Sequence, residues 1–158
     1  MTPAVRAAKR AKIDFSVHEY AHDPNNSSFG MEAAEKLGID PARVFKTLLV
    51  DLNGNSKSLA VAIVPVNAQL DLKAMAKACQ AKKVVMAEPA IAERTTGYVV
   101  GGISPLGQKR PLPTVLDKSA QSFDTVFVSA GRRGMDIELK PADLKELAGA
   151  VLAKVSRS

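Results

Sequence analysis

The chain has 158 residues, of which 46% are hydrophobic and 24% charged, a composition that is typical of a globular protein and excludes global disorder. This length fits one domain, residues 1–158, whose core needs neither a disulfide nor a metal. The net charge of +6 suits a polyanionic partner, whereas the low aromatic content of 4% argues against a stacking platform for single-stranded nucleic acid.

The first predicted elements are a helix, a strand and a second helix. Thr2-Pro3 resembles an N-cap followed by proline at the first helical position, and it predicts a basic helix over 3–12. Alternating polarity predicts a strand over 15–20. Residues 22–30 are rich in turn formers and predict a loop, and the short helix after it is expected to end near Gly38.

The middle of the chain is predicted to contain a β-hairpin. Two apolar runs, 45–52 and 59–66, are typical of strands, and the Asn53-Gly54 pair between them is a strong hairpin indicator. Helical spacing then relates four residues, Leu72, Met75, Ala76 and Cys79. A short strand over 84–86 and a short helix over 88–94 follow.

The last third combines an irregular segment with further strands and a helix. Residues 97–113 are rich in glycine and proline, and such a stretch inside a compact domain is often functional. Three strands are predicted, at 114–116, 125–128 and 135–139. A tight turn is expected at 131–134. A final helix from Pro141 would present one apolar face made of Leu144, Leu147, Ala148 and Val151. We therefore predict an α+β fold, with a mixed, mostly antiparallel sheet curled into a partial barrel and covered by helices.

The segment His18-Glu19-Tyr20-Ala21-His22 matches the H-E-x-x-H pattern of zinc proteases. That pattern joins two zinc ligands only on a helix, and here the first His lies in a predicted strand and the second in a loop. Four residues along a strand span roughly 13 Å, too far for one zinc ion. The chain has no third His, so we expect no metal site.

Cys79 is interpreted as a small core residue, because it shares helical spacing with apolar residues and has no activating neighbour. As the one cysteine of the chain, it excludes an intrachain disulfide and suggests a reducing compartment. The sequence shows neither an apolar signal segment nor a run long enough to span a membrane. We therefore expect a cytoplasmic protein with no membrane association.

Two features have both an ordinary and a functional interpretation. Lys46 shares its parity in the strand 45–52 with apolar residues, so it is either a lysine that snorkels at a strand end or an ammonium held in a pocket for an anionic or ester group. Gly101-Gly102, followed by Ile103-Ser104-Pro105, is either an ordinary loop or a place where backbone N–H groups approach a carbonyl oxygen.

Several charged residues also have both an ordinary and a functional interpretation. Asp136 lies between Met135 and Ile137, so it points away from the core and is either solvated or lines a cleft. Four basic clusters could form a phosphate track if the fold brings them together: Lys9-Arg10-Lys12, Lys82-Lys83, Lys109-Arg110 and Arg132-Arg133. The chain has no phosphate-binding loop, dinucleotide fingerprint, nucleophile elbow or metal-ligand spacing, so we expect no cofactor.

Several segments carry a resemblance to a known family, in order along nearly the whole chain: Thr2-Pro3-Ala4, His18-Glu19-Tyr20, Phe45-Lys46-Thr47-Leu48, Gly101-Gly102-Ile103-Ser104-Pro105, Gly131-Arg132-Arg133-Gly134 and Met135-Asp136-Ile137-Glu138-Leu139. The sequence resembles the YbaK/EbsC family, which includes bacterial Cys-tRNA(Pro) deacylases and is related to the editing insertion domain of bacterial prolyl-tRNA synthetase. The strand that contains Lys46, followed by the loop Gly101–Pro105 with its G-x-x-x-P pattern, is a pair of motifs specific to this family.

The resemblance implies the fold of this family and an enzyme that cleaves the ester between a mischarged amino acid and the terminal adenosine of tRNA. By position, Lys46 would anchor the aminoacylated tRNA end. The backbone of three residues, Gly101, Gly102 and Ile103, would grip the aminoacyl carbonyl. Five residues would shape the amino-acid pocket: Tyr20, Phe29, Thr47, Ser129 and Asp136. The resemblance also implies a transient complex with prolyl-tRNA synthetase, and no DNA partner.

The lack of a convincing nucleophile is expected if the substrate supplies one. The thiol of a cysteinyl ester can attack its own carbonyl and release tRNA and a thiolactone, favoured by the high effective molarity of an oriented group. Seryl and alanyl esters should then react poorly. The expected substrate is Cys-tRNA(Pro), with Cys-tRNA(Cys) as a second one. Three alternatives stay open: an Ala-tRNA(Pro) deacylase of the same fold, a non-catalytic RNA- or synthetase-binding module, and a small-molecule hydrolase.

Overall fold

The computed structural model describes all residues from 1 to 158 and contains five α-helices and ten strands. The helices are α1 (Pro3–Ala11), α2 (Phe29–Leu37), α3 (Leu72–Ala78), α4 (Pro89–Thr96) and α5 (Pro141–Ala148). The strands are β1 (Phe15–Glu19), β2 (Phe45–Leu52), β3 (Asn55–Pro65), β4 (Gln69–Leu70), β5 (Val84–Met86), β6 (Thr114–Asp117), β7 (Val126–Arg132), β8 (Met135–Leu139), β9 (Ala150–Ala153) and β10 (Ser156–Arg157). Two short 3₁₀ helices lie at Pro41–Arg43 and Lys118–Ser122.

The strands form three separate sheets. The largest has the order β5-β2-β3-β6-β9; β2 runs antiparallel to β5 and β3, and β6 runs parallel to β3 and β9. The second is antiparallel with the order β1-β8-β7, and β4 pairs with β10 in a two-stranded ribbon. The predicted α+β class is confirmed, and the sheets remain open, without closing into a barrel.

Local sequence determines several boundaries. Thr2 accepts a hydrogen bond from the Val5 N–H at 3.2 Å and caps α1, as predicted. Asn53 and Gly54 both have positive φ, +55° and +72°, as a two-residue hairpin turn requires. This turn extends the pairing of β2 and β3 to Leu52 opposite Asn55, so β3 begins earlier than predicted. The loop before α2 is slightly shorter than predicted, because α2 already begins at Phe29.

The predicted end of the last helix is wrong. Gly149 adopts a φ of +62° and caps α5 in the left-handed conformation, so Val151 cannot extend the apolar face of that helix. Val151 instead lies in β9, which pairs with β6, and its side chain is 55% exposed. The strand β9 was not predicted, because the seven-residue spacing between Leu144 and Val151 also fits a helix. No helix in the chain is both long and apolar enough to cross a membrane.

The strand β2 is central to the core, yet part of its edge is open. Phe45 and Leu49 pack into the largest apolar cluster, and Val50 packs into a second one, so both faces of the strand are buried. On the side away from β3, β5 pairs only with the end of β2, from Val50 to Leu52. The beginning of β2 therefore borders a cavity where a neighbouring strand would otherwise lie.

Candidate active site

A cavity of about 450 Å³ lies at the open edge of β2. Its walls come from β2, the beginning of α2, the glycine-rich loop and the strands β7 and β8. Eight of the nine residues assigned by family resemblance line it: Tyr20, Phe29, Lys46, Thr47, Gly101, Ile103, Ser129 and Asp136. Gly102 is absent from the wall. A mostly apolar cavity with a few converging polar groups is typical of a small-molecule site.

Lys46 supplies a cationic group to this cavity. Its side chain is half-buried, and burial lowers its pKa from the ordinary value. The ammonium forms neither a hydrogen bond nor an ion pair with the protein, and no carboxylate offsets the cost of its burial. Such a group is available to an anionic or ester oxygen, which is the functional alternative considered for this residue.

The glycine-rich loop presents two free backbone donors. Gly101 has a φ of +88° and is the third residue of a turn closed by the Gly102 N–H, which donates to the Val99 carbonyl at 2.9 Å. The N–H of Gly102 is therefore used within the loop. The N–H groups of Gly101 and Ile103 have no partner in the protein, and both residues line the cavity. The geometry thus offers Gly101 and Ile103, without Gly102, as the donors for a carbonyl oxygen.

Close packing explains why both glycines lack a side chain. A Cβ on Gly101 would lie 2.7 Å from the Cγ of Phe29, so the Phe29 ring rests directly on the loop. A Cβ on Gly102 would lie 2.7 Å from the Cα of Arg132, where the backbone of the β7–β8 turn packs against the loop. The N-terminus of α2 and the β7–β8 turn therefore fix the loop from two sides.

Polar side chains also line the cavity. Asp136 is 5% exposed and pairs with Ser129 across the β7–β8 ladder, so the cleft alternative for this residue is correct. Burial raises the pKa of Asp136 to about 7. Burial, together with the nearby Asp136 carboxylate, raises the pKa of Tyr20 to about 12, so its hydroxyl keeps its proton. The Thr47 hydroxyl is buried without a hydrogen-bond partner and is thus uncommitted.

Asp136→Asn is expected to remove a pH dependence of stability. The pKa of Asp136 is about 7 in the folded protein against an ordinary 3.8, so the unfolded chain loses this proton at a lower pH than the folded chain does. The contribution of Asp136 to the free energy of unfolding therefore falls by up to about 4 kcal/mol as pH rises from about 4 to about 7. Above about pH 7 this contribution is constant. Urea unfolding at about pH 5 and about pH 8 measures the difference.

The matched control for this experiment is Asp124→Asn, because Asp124 is exposed. The Asp136→Asn variant should lose less stability than the wild type between the two pH values, and the control should behave as the wild type does. An equal loss of unfolding free energy in all three proteins would mean that Asp136 ionises in the same pH range in the folded and the unfolded chain.

A buried glutamate, which was not predicted from the sequence, fixes the loop before α2. Glu32 is 2% exposed; its Oε1 lies 2.6 Å from the Nδ1 of His22, and its Oε2 accepts from the Asp23 N–H at 2.8 Å. Burial opposes ionisation of Glu32, but these contacts and Lys36 outweigh it and lower its pKa. The His22 ring also lies 5.7 Å from the ring of Phe29, so this contact network supports the wall of the cavity.

The two histidines of the H-E-x-x-H match lie in a strand and a loop, as predicted, and contact different carboxylates. His18, in β1, lies 2.9 Å from Glu138, whereas His22 contacts Glu32. No group of three or more His, Cys, Asp or Glu side chains converges in the structure. Cys79 packs against the second apolar cluster, and burial raises the pKa of its thiol, in agreement with its interpretation as a core residue.

The basic clusters lie on different elements. Lys9 and Arg10 end α1, and the N–H groups of Lys82 and Lys83 are held by the side chain of Asn53 at the tip of the β2–β3 hairpin. The pair Lys109-Arg110 borders a separate basic cleft with Arg94. The fourth cluster, at the β7–β8 turn, contacts residues of the cavity wall through Arg133.

Comparison with known proteins agrees with this architecture. Residues 24–147 match the family described as the aminoacyl-tRNA editing domain. A protein of Enterococcus faecalis, EbsC, named as a Cys-tRNA(Pro)/Cys-tRNA(Cys) deacylase, is 41% identical over 155 residues, which is 98% of this chain and 93% of that protein.

Two solved structures have the same fold. That of the hypothetical protein APE2540 superposes with a TM-score of 0.86 at 25% identity, over 99% of this chain and 100% of the other. A structure described as a trans-editing enzyme for prolyl-tRNA synthetase superposes with a TM-score of 0.83 at 23% identity, over 100% and 99%. The expected YbaK/EbsC resemblance is thus confirmed over nearly the whole length, and the chain belongs to the family of aminoacyl-tRNA editing domains.

Proposed function

We propose that residues 1–158 act as one trans-editing domain that cleaves the ester of mischarged Cys-tRNA(Pro), and also of Cys-tRNA(Cys), in the cytoplasm. One observation carries the proposal: the cavity combines the unpaired ammonium of Lys46 with the free N–H groups of Gly101 and Ile103. The name of the Enterococcus relative supports cysteine as the amino acid that is removed.

The contents of the cavity favour a nucleophile that belongs to the substrate. No His or Cys lines the cavity, so the hydroxyls of Thr47 and Ser129 have no imidazole to activate them. In the proposed step, the cysteinyl sulfur bonds to its own carbonyl carbon as the bond to the 3′ oxygen breaks, and the thiol proton ends on that oxygen. The products are a tRNA with a free terminal hydroxyl and a cyclic thiolactone, and the step needs no co-reactant.

The protein then has to orient and stabilise the reacting groups. In this proposal the N–H groups of Gly101 and Ile103 hold the carbonyl oxygen as it gains negative charge, and preorganised donors of this kind are a large source of catalysis. The Lys46 ammonium lies beside the 3′ oxygen and favours its departure. The Asp136 carboxyl, which also lines the cavity, pairs with the α-ammonium of the amino acid.

The size and lining of the pocket limit which side chains fit. Tyr20, Phe29, Thr47 and Ser129 line the same cavity as Asp136, and all lie in helices or strands or directly at their ends. A cysteine side chain is small enough for this space, and its thiol has to be held against the carbonyl for the attack to benefit from proximity.

Selection of the tRNA is proposed to come from prolyl-tRNA synthetase in a transient complex. The basic clusters lie on separate elements, and the chain is small compared with a whole tRNA. Contacts to the terminal nucleotide and the amino acid would bind the mischarged end without distinguishing one tRNA from another. A partner that already holds tRNA(Pro) would supply that selection.

The proposal is tested by deacylation of Cys-tRNA(Pro), Ala-tRNA(Pro) and Ser-tRNA(Pro) side by side. We expect cysteine to be removed selectively. Preferential removal of alanine would be consistent with the proposed site but would contradict attack by the substrate thiol. If no ester is cleaved while tRNA binding weakens steeply with salt, the chain is an RNA-binding module. If free amino-acid esters are cleaved and tRNA does not bind, it is a small-molecule hydrolase.

A further inference from the structure

Arg133, in the β7–β8 turn, braces two walls of the cavity at once. Its Nε–H donates to the carbonyl oxygen of Val100 at 2.9 Å, immediately before the carbonyl-binding part of the loop. Its Cζ lies 4.6 Å from the centre of the Phe29 ring, the ring that rests on Gly101. One guanidinium thus holds the loop and the aromatic ring that covers it.

The other end of this guanidinium is free. Arg133 is exposed, and its two Nη groups form no hydrogen bond or ion pair with the protein. A guanidinium presents its donors in a planar fork, so the use of Nε–H on a carbonyl leaves the Nη pair for a phosphate. The neighbouring Arg132 differs, because its Nη2 lies 3.5 Å from the Glu19 carboxylate and its side chain forms no hydrogen bond with the loop.

We propose that Arg133 is a positioning residue that couples binding of the 5′ phosphate of the terminal tRNA nucleotide to the geometry of the carbonyl-binding loop. This inference rests on the proposed function. With the ester carbonyl at Gly101 and Ile103, the terminal ribose lies at the mouth of the cavity and its own 5′ phosphate is one sugar away. A phosphate on the Nη fork restricts the side chain to the rotamer that holds Val100 and covers Phe29, so the loop is ordered when tRNA is bound.

The test compares Arg133→Ala, Arg133→Lys and Arg132→Ala with the wild type. Each protein is assayed with Cys-tRNA(Pro) and with the cysteinyl ester of adenosine, which has no phosphate. For Arg133→Ala we expect kcat with the adenosine ester to fall about tenfold, because the loop is misplaced. The salt dependence of tRNA binding, as the slope of log K against log salt, should fall by about 0.7, as for one lost phosphate contact on a single strand.

The conservative variant separates the two parts of the role. Arg133→Lys keeps the charge, so the salt slope should return to the wild-type value, but it lacks the planar Nε–H and kcat with the adenosine ester should stay low. Arg132→Ala should change kcat with the adenosine ester less than twofold, because a substitution at the surface away from the site has only small effects. Thermal unfolding of all variants checks that the fold is intact.

Two results would overturn the inference. An unchanged kcat with the adenosine ester in Arg133→Ala would mean that the residue does not position the loop. A salt slope that falls equally in Arg132→Ala and Arg133→Ala, or in neither, would mean that Arg133 holds no specific phosphate. Failure of the proposed function is distinguishable from both, because the wild type would then cleave neither cysteinyl substrate.

Discussion

Gly101→Ala is expected to lower kcat/KM for Cys-tRNA(Pro) by about 100-fold or more, because it displaces the carbonyl-binding donors. The new methyl group would lie 2.7 Å from Cγ of Phe29, and the φ of +88° is strained for any residue with a side chain. The loop and the ring cannot both keep their positions. Steady-state deacylation kinetics measure the loss.

Gly149→Ala is the matched control for this variant. Gly149 also has a positive φ, +62°, but a Cβ there meets nothing within 4 Å, and it caps α5, whose residues do not line the cavity. Both variants should lose about 1 kcal/mol of stability from backbone strain. If the Gly149→Ala variant loses as much activity as Gly101→Ala, general destabilisation explains the result and the loop has no special role.

Lys46→Ala is expected to lower kcat/KM for Cys-tRNA(Pro) by about 100-fold to 1000-fold, as for the loss of one preorganised charge-stabilising group. Because burial already lowers the pKa of Lys46 and no carboxylate pairs with it, its removal should not destabilise the fold. Measured on the same preparation, the activity should therefore fall while the free energy of unfolding stays unchanged.

Lys57→Ala serves as the control for charge, because Lys57 is an exposed lysine on the neighbouring strand β3. This variant should keep wild-type activity at moderate salt. Equal losses in both lysine variants would indicate a general electrostatic effect on tRNA binding, and an active Lys46→Ala enzyme would remove Lys46 from the proposed site.

Features decided by local geometry were predicted correctly from the sequence. The Asn53-Gly54 turn, the Thr2 cap and the helix stop at Gly38 depend on residues whose backbone preferences act within a few positions. The strand β9 was missed because its partner β6 is distant in sequence, and a short apolar run fits a helix as well as a strand.

The site itself was only partly predictable. Residue patterns did not decide between the snorkelling and the functional interpretation of Lys46. Strand parity does not reveal that both faces of β2 are covered while its edge borders a cavity. Family resemblance placed Lys46 and the glycine loop together, but it did not distinguish Gly102, whose N–H closes a turn, from Gly101 and Ile103. Glu32 was missed because a glutamate in a helix is rarely buried, and only the fold shows its contacts with His22.

Whether the substrate thiol is the nucleophile is tested most directly by comparing Cys-tRNA(Pro) with 2-aminobutyryl-tRNA(Pro). The two amino acids have nearly the same shape, and a methyl group replaces the thiol in the second. We expect both esters to bind the enzyme with similar affinity and only the cysteinyl ester to be cleaved. Comparable cleavage of both esters would contradict this expectation, because water or a protein group would then be the nucleophile.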